Sequence, residues 1–294
     1  MQSGGQKRRF ITGILMAALL IGLSGAASWA QAPPPNFPPD QLDKMVSRIA
    51  LYPDPLLAQI LAAATFPDQI PDAAKYADEH HYLTGDALAK AVADDHVPWD
   101  PSVQALLPFP SVLEMMAGDM NWTTDVGNAF LAQHQDVMDA VQRMRQKAKD
   151  FGYLRTNSRV RVDIAGPYIQ ILPVDPAFIC VPYYDPLIVF AAPRPGFIVG
   201  GAINFGFGVT IGAAFRPWGW GVTRFDWGGH ALFLNDRPWG RTWVNRGAYA
   251  HPYVGLPRWK PNARVEGHPL TPRSPREREG ARMGRPRVEE HGRR

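Results

Sequence analysis

The chain has 294 residues, which is enough for one or two domains with a real hydrophobic core. Its single cysteine, Cys180, excludes an intramolecular disulfide, so the fold must be stabilised by packing. The net charge of +4 is unevenly distributed: residues 31–150 carry 17 acidic and 8 basic side chains, whereas residues 258–294 carry 5 acidic and 11 basic ones. Because the basic excess lies at the end of the chain, the charge argues against a nucleic-acid-binding domain.

Residues 1–30 have the three parts of a secretory signal peptide. Three basic residues at 7–9 are followed by an uncharged apolar stretch over residues 11–23, and residues 28–30 fit the small-x-small cleavage rule. The apolar stretch is shorter than the ~20 residues of a membrane-spanning helix, which makes an uncleaved anchor the weaker interpretation. We expect cleavage after Ala30 and export to the periplasm or envelope, where nucleic acid is not an expected partner.

A proline-rich linker over residues 31–39 precedes a predicted helical domain over residues 40–152. Asp54 and Asp100 are each followed by proline, a pattern in which the Asp is the N-cap and the proline is the first helical residue. The last predicted helix ends at Gly152. Its predicted buried face consists of Val137, Val141, Met144, Ala148 and Phe151.

The hydrophobic periodicity changes in the small β region predicted over residues 153–195. Residues 159–164 alternate between polar and apolar, as in a strand with one solvated face, and residues 168–172 and 178–181 are further short strands. These patterns predict an α+β fold in which a helical bundle is followed by strands. We expect the helical half and the strand half to be separate modules.

The Gly-rich apolar segment over residues 196–215 contains no charge and lies between Arg194 and Arg216. Its length matches a bilayer-spanning helix, and glycines four residues apart allow close helix packing in lipid. Each helical glycine is, however, about 1 kcal/mol less favourable than alanine. A buried glycine-rich helix within the fold and a β-hairpin packed on another sheet are therefore open alternatives.

A Trp-rich β region is predicted over residues 216–257. Five of its side chains would lie on shared strand faces and form a candidate surface for a glycan ligand or a membrane interface. They are Trp218, Trp220, Trp239, Arg241 and Trp243. The last three would form a Trp-Arg-Trp stack with cation–π character. The alternative is ordinary core and cross-strand packing, because aromatic residues favour strands.

No H-E-x-x-H, G-x-S-x-G, S-x-x-K or P-loop pattern occurs in the sequence. Cys180 has apolar neighbours, which indicate a buried and inert thiol instead of a nucleophile. The His80-His81 pair and the cluster over residues 94–96 contain metal-ligand residue types, but adjacent helical side chains point about 100° apart and favour solvated helix ends. We predict no catalytic residue, no cofactor and no metal site.

Several sequence blocks are similar to one known family. They cover residues 49–61, 65–67, 85–88, 99–103, 109–116, 121–123, 129–133, 136–143 and 181–186. Over roughly residues 40–190 the chain resembles an exported proteobacterial family of unknown function, number 3300 among such families. The resemblance implies export and this order of regions, and it implies neither an activity nor catalytic residues.

The sequence favours an exported, non-catalytic cell-envelope protein with a structural, binding or assembly role, whose partner is membrane, cell wall or another protein. A tail over residues 258–294 is predicted to be disordered, and the alternative is that its basic residues attract polyanionic envelope surfaces. The alternative function is a hydrolase or transferase acting on envelope polymers, with Asp163, Asp185 and Asp226 as candidate acids. No oligomeric state follows from the sequence.

Overall fold

The fold is taken from a computed structural model, which describes residues 34–193, 201–211 and 213–249. The predicted signal peptide, residues 31–33 of the predicted linker and the predicted tail over residues 258–294 lie outside these ranges, as do parts of the Gly-rich and Trp-rich segments. The expectations for those residues stay predictions.

Eight α-helices form the N-terminal part of the described chain. They are α1 (Pro39–Val46), α2 (Asp54–Ala64), α3 (Ile70–Glu79), α4 (Gly85–Asp94), α5 (Pro101–Gln104), α6 (Pro110–Gly118), α7 (Met120–Ala132) and α8 (His134–Asp150). A further short helix, α9, spans Pro186–Val189, and two 3-10 helices span Pro67–Gln69 and Ala213–Trp218.

The ends of the helices can be compared with the caps that the sequence predicts. Asp100 caps α5 as predicted, because its carboxylate accepts a hydrogen bond from the backbone N–H of Ser102 at 2.9 Å. Asp54 is the first residue of α2 and makes no cap, which corrects the prediction. Gly152 follows α8 with φ +77°, the left-handed conformation that glycine adopts without strain. Four of the five predicted core residues of α8 are buried: Val137, Val141, Met144 and Ala148.

The second half of the described chain forms small antiparallel sheets. The strands are β1 (Val160–Ala165), β2 (Tyr168–Pro173), β3 (Phe178–Ile179), β4 (Pro182–Tyr184), β5 (Ile203–Phe205), β6 (Val209–Thr210), β7 (Arg224–Asp226), β8 (Ala231–Leu234) and β9 (Arg237–Pro238). β1 and β2 form a hairpin, β3 pairs with β6, β4 pairs with β5, and β7, β8 and β9 form a three-stranded sheet. The predicted α+β fold is confirmed.

The larger of two hydrophobic clusters contains residues from the helices and from the strand regions, and the smaller cluster also joins Leu51 and Ala148 to residues of β1 and β2. The ring centroids of Phe109, which immediately precedes α6, and Trp220 lie 5.3 Å apart, and those of Phe130 in α7 and Trp239 lie 5.2 Å apart. The expectation of two separate modules is therefore wrong for the described residues. Tryptophans of the second half pack against helices of the first, since neither half covers these apolar surfaces alone.

The Gly-rich segment contains strands instead of one long helix. β5 pairs antiparallel with β4 and β6 pairs antiparallel with β3, so each strand of this segment lies beside a strand that precedes it in the chain. Glycine disfavours helices, while β-branched Ile203 and Val209 favour strands. The interpretation of residues 196–215 as a continuous bilayer-spanning helix is thus wrong. Across the parts of the chain that the structure describes, no helix is both long and apolar enough to cross a membrane.

Candidate functional site

A surface groove joins three stretches that are far apart in the sequence, and its volume is about 480 Å³. Arg48 and Tyr52 come from the connection between α1 and α2, and Ser111 and Met115 come from α6. The remaining wall is formed around β4 by Val181, Pro182, Tyr183, Tyr184 and Pro186. We call this site the tyrosine groove, because three tyrosine rings form most of its aromatic surface.

Two tyrosine rings of the groove are anchored through their hydroxyl groups. The Tyr184 hydroxyl donates to the backbone carbonyl of Ser47 at 2.8 Å, and the Tyr52 hydroxyl lies 3.8 Å from the sulfur of Met115. Tyr183 is 52% exposed, and its hydroxyl makes only a long hydrogen bond, at 3.5 Å, to the hydroxyl of Ser111. The groove therefore combines fixed aromatic walls with one accessible ring, an arrangement that suits recognition at a low entropy cost.

The electrostatics of the groove are those of a neutral aromatic surface with a cation at the rim. Burial raises the pKa of Tyr52 to about 12 and the pKa of Tyr184 well above its ordinary value, so both phenols are neutral at physiological pH. Arg48 pairs with Asp119 at 2.8 Å and lies 4.9 Å from the ring centroid of Trp122. The backbone N–H of Trp122 and then the Arg48 guanidinium lower the pKa of Asp119, which keeps this carboxylate charged.

A buried ion pair supports one wall of the groove. Arg145 in α8 lies 2.7 Å from Asp54 in α2, and its side chain is 0% exposed. The Arg145 guanidinium also donates to the carbonyl oxygens of Ala50 at 2.8 Å, Tyr52 at 3.1 Å and Ile169 at 2.8 Å. Because Tyr52 is a groove residue, Arg145 fixes the backbone that carries the groove wall.

The Asp54 carboxylate connects the helices to the strand regions. It accepts hydrogen bonds from the backbone N–H of Ile171 at 3.2 Å and from the indole N–H of Trp227 at 3.1 Å. The Arg145 guanidinium lies 4.9 Å from the ring centroid of Trp227. A buried carboxylate with two such donors and an arginine partner meets the condition under which buried charge is tolerated.

Comparison with known proteins identifies a family whose function is unknown. The model of the family described as "Protein of unknown function (DUF3300)" matches residues 38–231, more than half of the chain. The chain belongs to the DUF3300 family. "Uncharacterized protein YacH" of Escherichia coli strain K12 is 34% identical over 182 residues, which cover 51% of this chain and 29% of that protein. This similarity supports a bacterial origin, and the match spans less than a third of the relative's length. No solved structure matches the chain.

The sequence analysis did not single out the residues of the tyrosine groove. A signal was nevertheless present, since three of the blocks that carry the DUF3300 resemblance contribute Tyr52, Met115 and Tyr183 to this one surface. Taken separately, each block has the pattern of a helix core or a short strand. That the three blocks lie together at one groove is determined by the tertiary fold.

The five residues of the predicted ligand or membrane-interface surface do not form one exposed face. Trp220 is 9% exposed and donates its indole N–H to the carbonyl oxygen of Ala105 at 2.8 Å. Trp239 is 6% exposed and packs against α7. Trp218 ends a 3-10 helix and is half-buried beside Phe215. For Trp220 and Trp239 the structure agrees with the core-packing alternative.

The predicted Trp-Arg-Trp stack is absent from residues 239–243, because the chain leaves the strand conformation after Pro238. Arg241 instead lies 3.6 Å from the ring centroid of Phe66 and donates to the carbonyl oxygen of Thr65 at 2.6 Å. Trp243 receives a different cation, the Arg246 guanidinium, at 3.8 Å from its ring centroid. Burial lowers the pKa of Arg241 from its ordinary value.

The other residues considered for chemistry have local structural roles. His80, His81 and His96 each place Nδ1 within hydrogen-bond distance of a backbone carbonyl near their own helix end. Within the described ranges, no group of three or more His, Cys, Asp or Glu side chains could hold a metal ion. Cys180 is 3% exposed, as its apolar neighbours predict.

The three candidate acids lie on different elements. Asp163 pairs with Arg161 at 2.8 Å, Asp185 caps α9 through a backbone N–H at 2.8 Å, and Asp226 accepts a backbone N–H at 3.0 Å. Each carboxylate has a local partner, and no contact favours one of them as a catalytic acid.

His134 at the start of α8 should make stability depend on pH. Its ring packs 4.3 Å from Phe130 between centroids, and burial lowers its pKa from 6.5 to about 4, although a hydrogen bond with the His230 backbone opposes the shift. Between pH 6.5 and pH 4 the unfolded chain binds a proton here that the folded chain does not, so stability falls as the pH falls. We expect His134→Gln to remove about 2 kcal/mol of the stability difference between pH 7 and pH 4.5, measured by urea unfolding. An unchanged difference would contradict this expectation.

Proposed function

We propose that this protein is an exported, non-catalytic cell-envelope protein that binds an extended polypeptide segment of a partner protein in the tyrosine groove. The observation that carries the proposal is the convergence of Tyr52, Tyr183 and Tyr184 with prolines and a rim arginine in one groove of about 480 Å³. Binding a segment of a partner protein would make this protein a binding or assembly factor of the envelope.

A polypeptide is the ligand that this chemistry suits best. Grooves lined by aromatic rings recognise extended or proline-rich peptides, because the rings pack against side chains while hydroxyl and guanidinium groups bond to peptide carbonyls. Arg48 supplies the cation, and its pairing with Asp119 and its position over Trp122 hold it at the rim. Tyr183 supplies the accessible ring.

Export rests on the composition of residues 1–30 and is tested directly. When the full chain is expressed in a Gram-negative host, we expect mass spectrometry of the periplasmic fraction to find a protein that begins at Gln31, because cleavage should follow Ala30. A product in the cytosol that retains Met1 would contradict export.

The groove is tested with Tyr183→Ala. Peptides selected by the wild-type protein from a displayed library of random peptides should bind the variant about 30-fold more weakly, because a central aromatic anchor contributes about 2 kcal/mol. Since Tyr183 is half-exposed, the variant should fold normally, which circular dichroism and the unfolding midpoint check.

Tyr82→Ala is the matched control, because Tyr82 is also an exposed tyrosine, at 70%, and does not line the groove. It should leave binding of the same peptides unchanged. Equal losses in both variants, or a library from which the wild-type protein selects no peptide, would reject the groove as a peptide-binding site.

A further inference from the structure

Strand β4 forms one side of the tyrosine groove. In the described part of the chain its sheet contains only β4 and β5, so the edge of β4 that faces away from β5 has no neighbouring strand. The β4 residues that line the groove are consecutive, since Pro182, Tyr183 and Tyr184 all contribute. Successive side chains of a strand point to opposite faces of the sheet, so a groove bordered by consecutive residues lies beside the strand edge.

A cavity next to β5 shows the other pattern. Its volume is about 300 Å³, and the residues that it takes from the β5 region are Gly201, Ile203 and Phe205. These residues alternate along the chain, as expected where a cavity lies over one face of a strand. The tyrosine groove therefore differs from this cavity in lying along an open strand edge.

The register between β4 and β5 shows which peptide groups of β4 point toward this open edge. The backbone N–H of Gly206 donates to the carbonyl oxygen of Val181 at 3.1 Å. Because hydrogen-bonded pairs alternate with non-hydrogen-bonded pairs in an antiparallel ladder, the backbone of Tyr183 bonds to β5, whereas the backbones of Pro182 and Tyr184 do not. The carbonyl of Pro182 and both peptide groups of Tyr184 therefore point away from β5.

These three peptide groups have no hydrogen-bond partner among the residues that the structure describes. Proline suits this position, because Pro182 lacks only an N–H that would point to the open edge, and prolines within sheets occur on edge strands. A ligand that displaces water from the groove must replace the hydrogen bonds of water to these groups, since unpaired backbone groups away from water are costly. The main chain of a polypeptide offers the matching donors and acceptors.

We propose that the partner segment binds as an additional strand on the open edge of β4, an inference that rests on peptide binding in the tyrosine groove. Both peptide groups of Tyr184 bond to the segment, and the carbonyl of Pro182 accepts a third hydrogen bond from it. Bonding of this kind gives affinity that depends little on sequence, while the groove side chains select the side chains of the segment. The ligand is thus a strand-forming segment and not a polyproline segment, which has no N–H groups to donate.

Scanning a bound peptide with backbone N-methyl groups tests this geometry. A short peptide that the full wild-type chain selects from the random library is resynthesised with one N–H methylated at a time. Because consecutive N–H groups of a strand point to opposite sides, methylation at every second position in the contact should weaken binding about tenfold, the loss of one hydrogen bond. Methylation at the positions between should leave the affinity unchanged, and these peptides are the matched controls. Calorimetric titration measures each affinity.

The amide of Tyr184 provides a second measurement, made on the protein itself. Hydrogen exchange followed by NMR on the full chain should show that this amide exchanges about tenfold more slowly when the unmethylated peptide saturates the groove. The amide of Tyr183 is the internal reference, because it is already bonded to β5.

The outcomes separate strand pairing from peptide binding. A scan without alternation, or a Tyr184 amide whose exchange the peptide leaves unchanged, would overturn strand pairing, while a loss of affinity in Tyr183→Ala would still support the groove as a peptide site. If the wild-type chain selects no peptide, both proposals are wrong. Protection of the Tyr184 amide before peptide is added would assign the edge of β4 to another segment of this chain or to a second copy, and would overturn strand pairing with a partner.

Discussion

Replacing Arg145 by methionine is expected to lower the free energy of unfolding by about 3–5 kcal/mol, the loss typical of breaking a buried ion pair. The substitution leaves the Asp54 carboxylate in the interior without its cation, although the donors from Ile171 and Trp227 remain. It also removes the donor to the carbonyl oxygen of Ala50. Urea unfolding followed by circular dichroism measures the change.

Arg143→Met is the control for this prediction. Arg143 lies two residues earlier in α8 and pairs with Asp43 at 2.7 Å, but its side chain is 41% exposed. Because exposed ion pairs contribute little, the loss should be at most about 1 kcal/mol. A loss in Arg145→Met no larger than that in Arg143→Met would show that the buried pair does not hold the helices to the strands.

The combined variant Arg145→Met with Asp54→Leu separates the ion pair from its surroundings. Removing both charges avoids an unpaired buried carboxylate, so the loss should be smaller than the sum of the two single losses. It should still exceed zero, since the carbonyl of Ala50 loses the donor from Arg145 and the N–H of Ile171 loses the acceptor from Asp54. A strictly additive result would contradict coupling between Arg145 and Asp54.

The two Asp-Pro dipeptides show how far local sequence determines the fold. Both mark helix starts, and at Asp100 the predicted cap forms, because its carboxylate bonds to the backbone N–H and the hydroxyl of Ser102, two residues away. At Asp54 the same signal places the helix correctly, while the side chain binds Arg145, Ile171 and Trp227, which are distant in the sequence. Local patterns thus predicted the element, whereas the long-range partners that decide the role of Asp54 required the structure.

The aromatic residues show the same division between local and tertiary information. The sequence showed that tryptophans cluster in the second half. It left open whether these tryptophans form a binding surface or pack in the core. That choice depends on whether the helices have an uncovered apolar face, which Phe109 and Phe130 provide to Trp220 and Trp239. The spacing of the tryptophans along the chain does not show whether the helices have such an uncovered face. The tyrosine groove was missed for the same reason, because three separate stretches build it.

Substituting Gly127 by alanine is expected to destabilise the protein by about 3 kcal/mol, the upper range for overpacking. Gly127 lies in α7 where this helix crosses α2, and a Cβ atom there would lie 1.9 Å from the carbonyl oxygen of Ala64. The neighbouring atom belongs to the backbone, so no side chain can move aside and the two helices must separate. The substitution therefore opposes the gain of about 1 kcal/mol that alanine normally brings to a helix interior.

Gly118→Ala at the end of α6 is the matched control, because a Cβ atom at this position meets no atom within 4 Å. It should leave the unfolding midpoint unchanged or raise it slightly, since only the intrinsic preference for alanine remains. The contrast between the two glycines measures the α2–α7 crossing itself, which seats α2 and hence Asp54 against the strands. If both substitutions had the same small effect, the close approach of these helices would not limit the core.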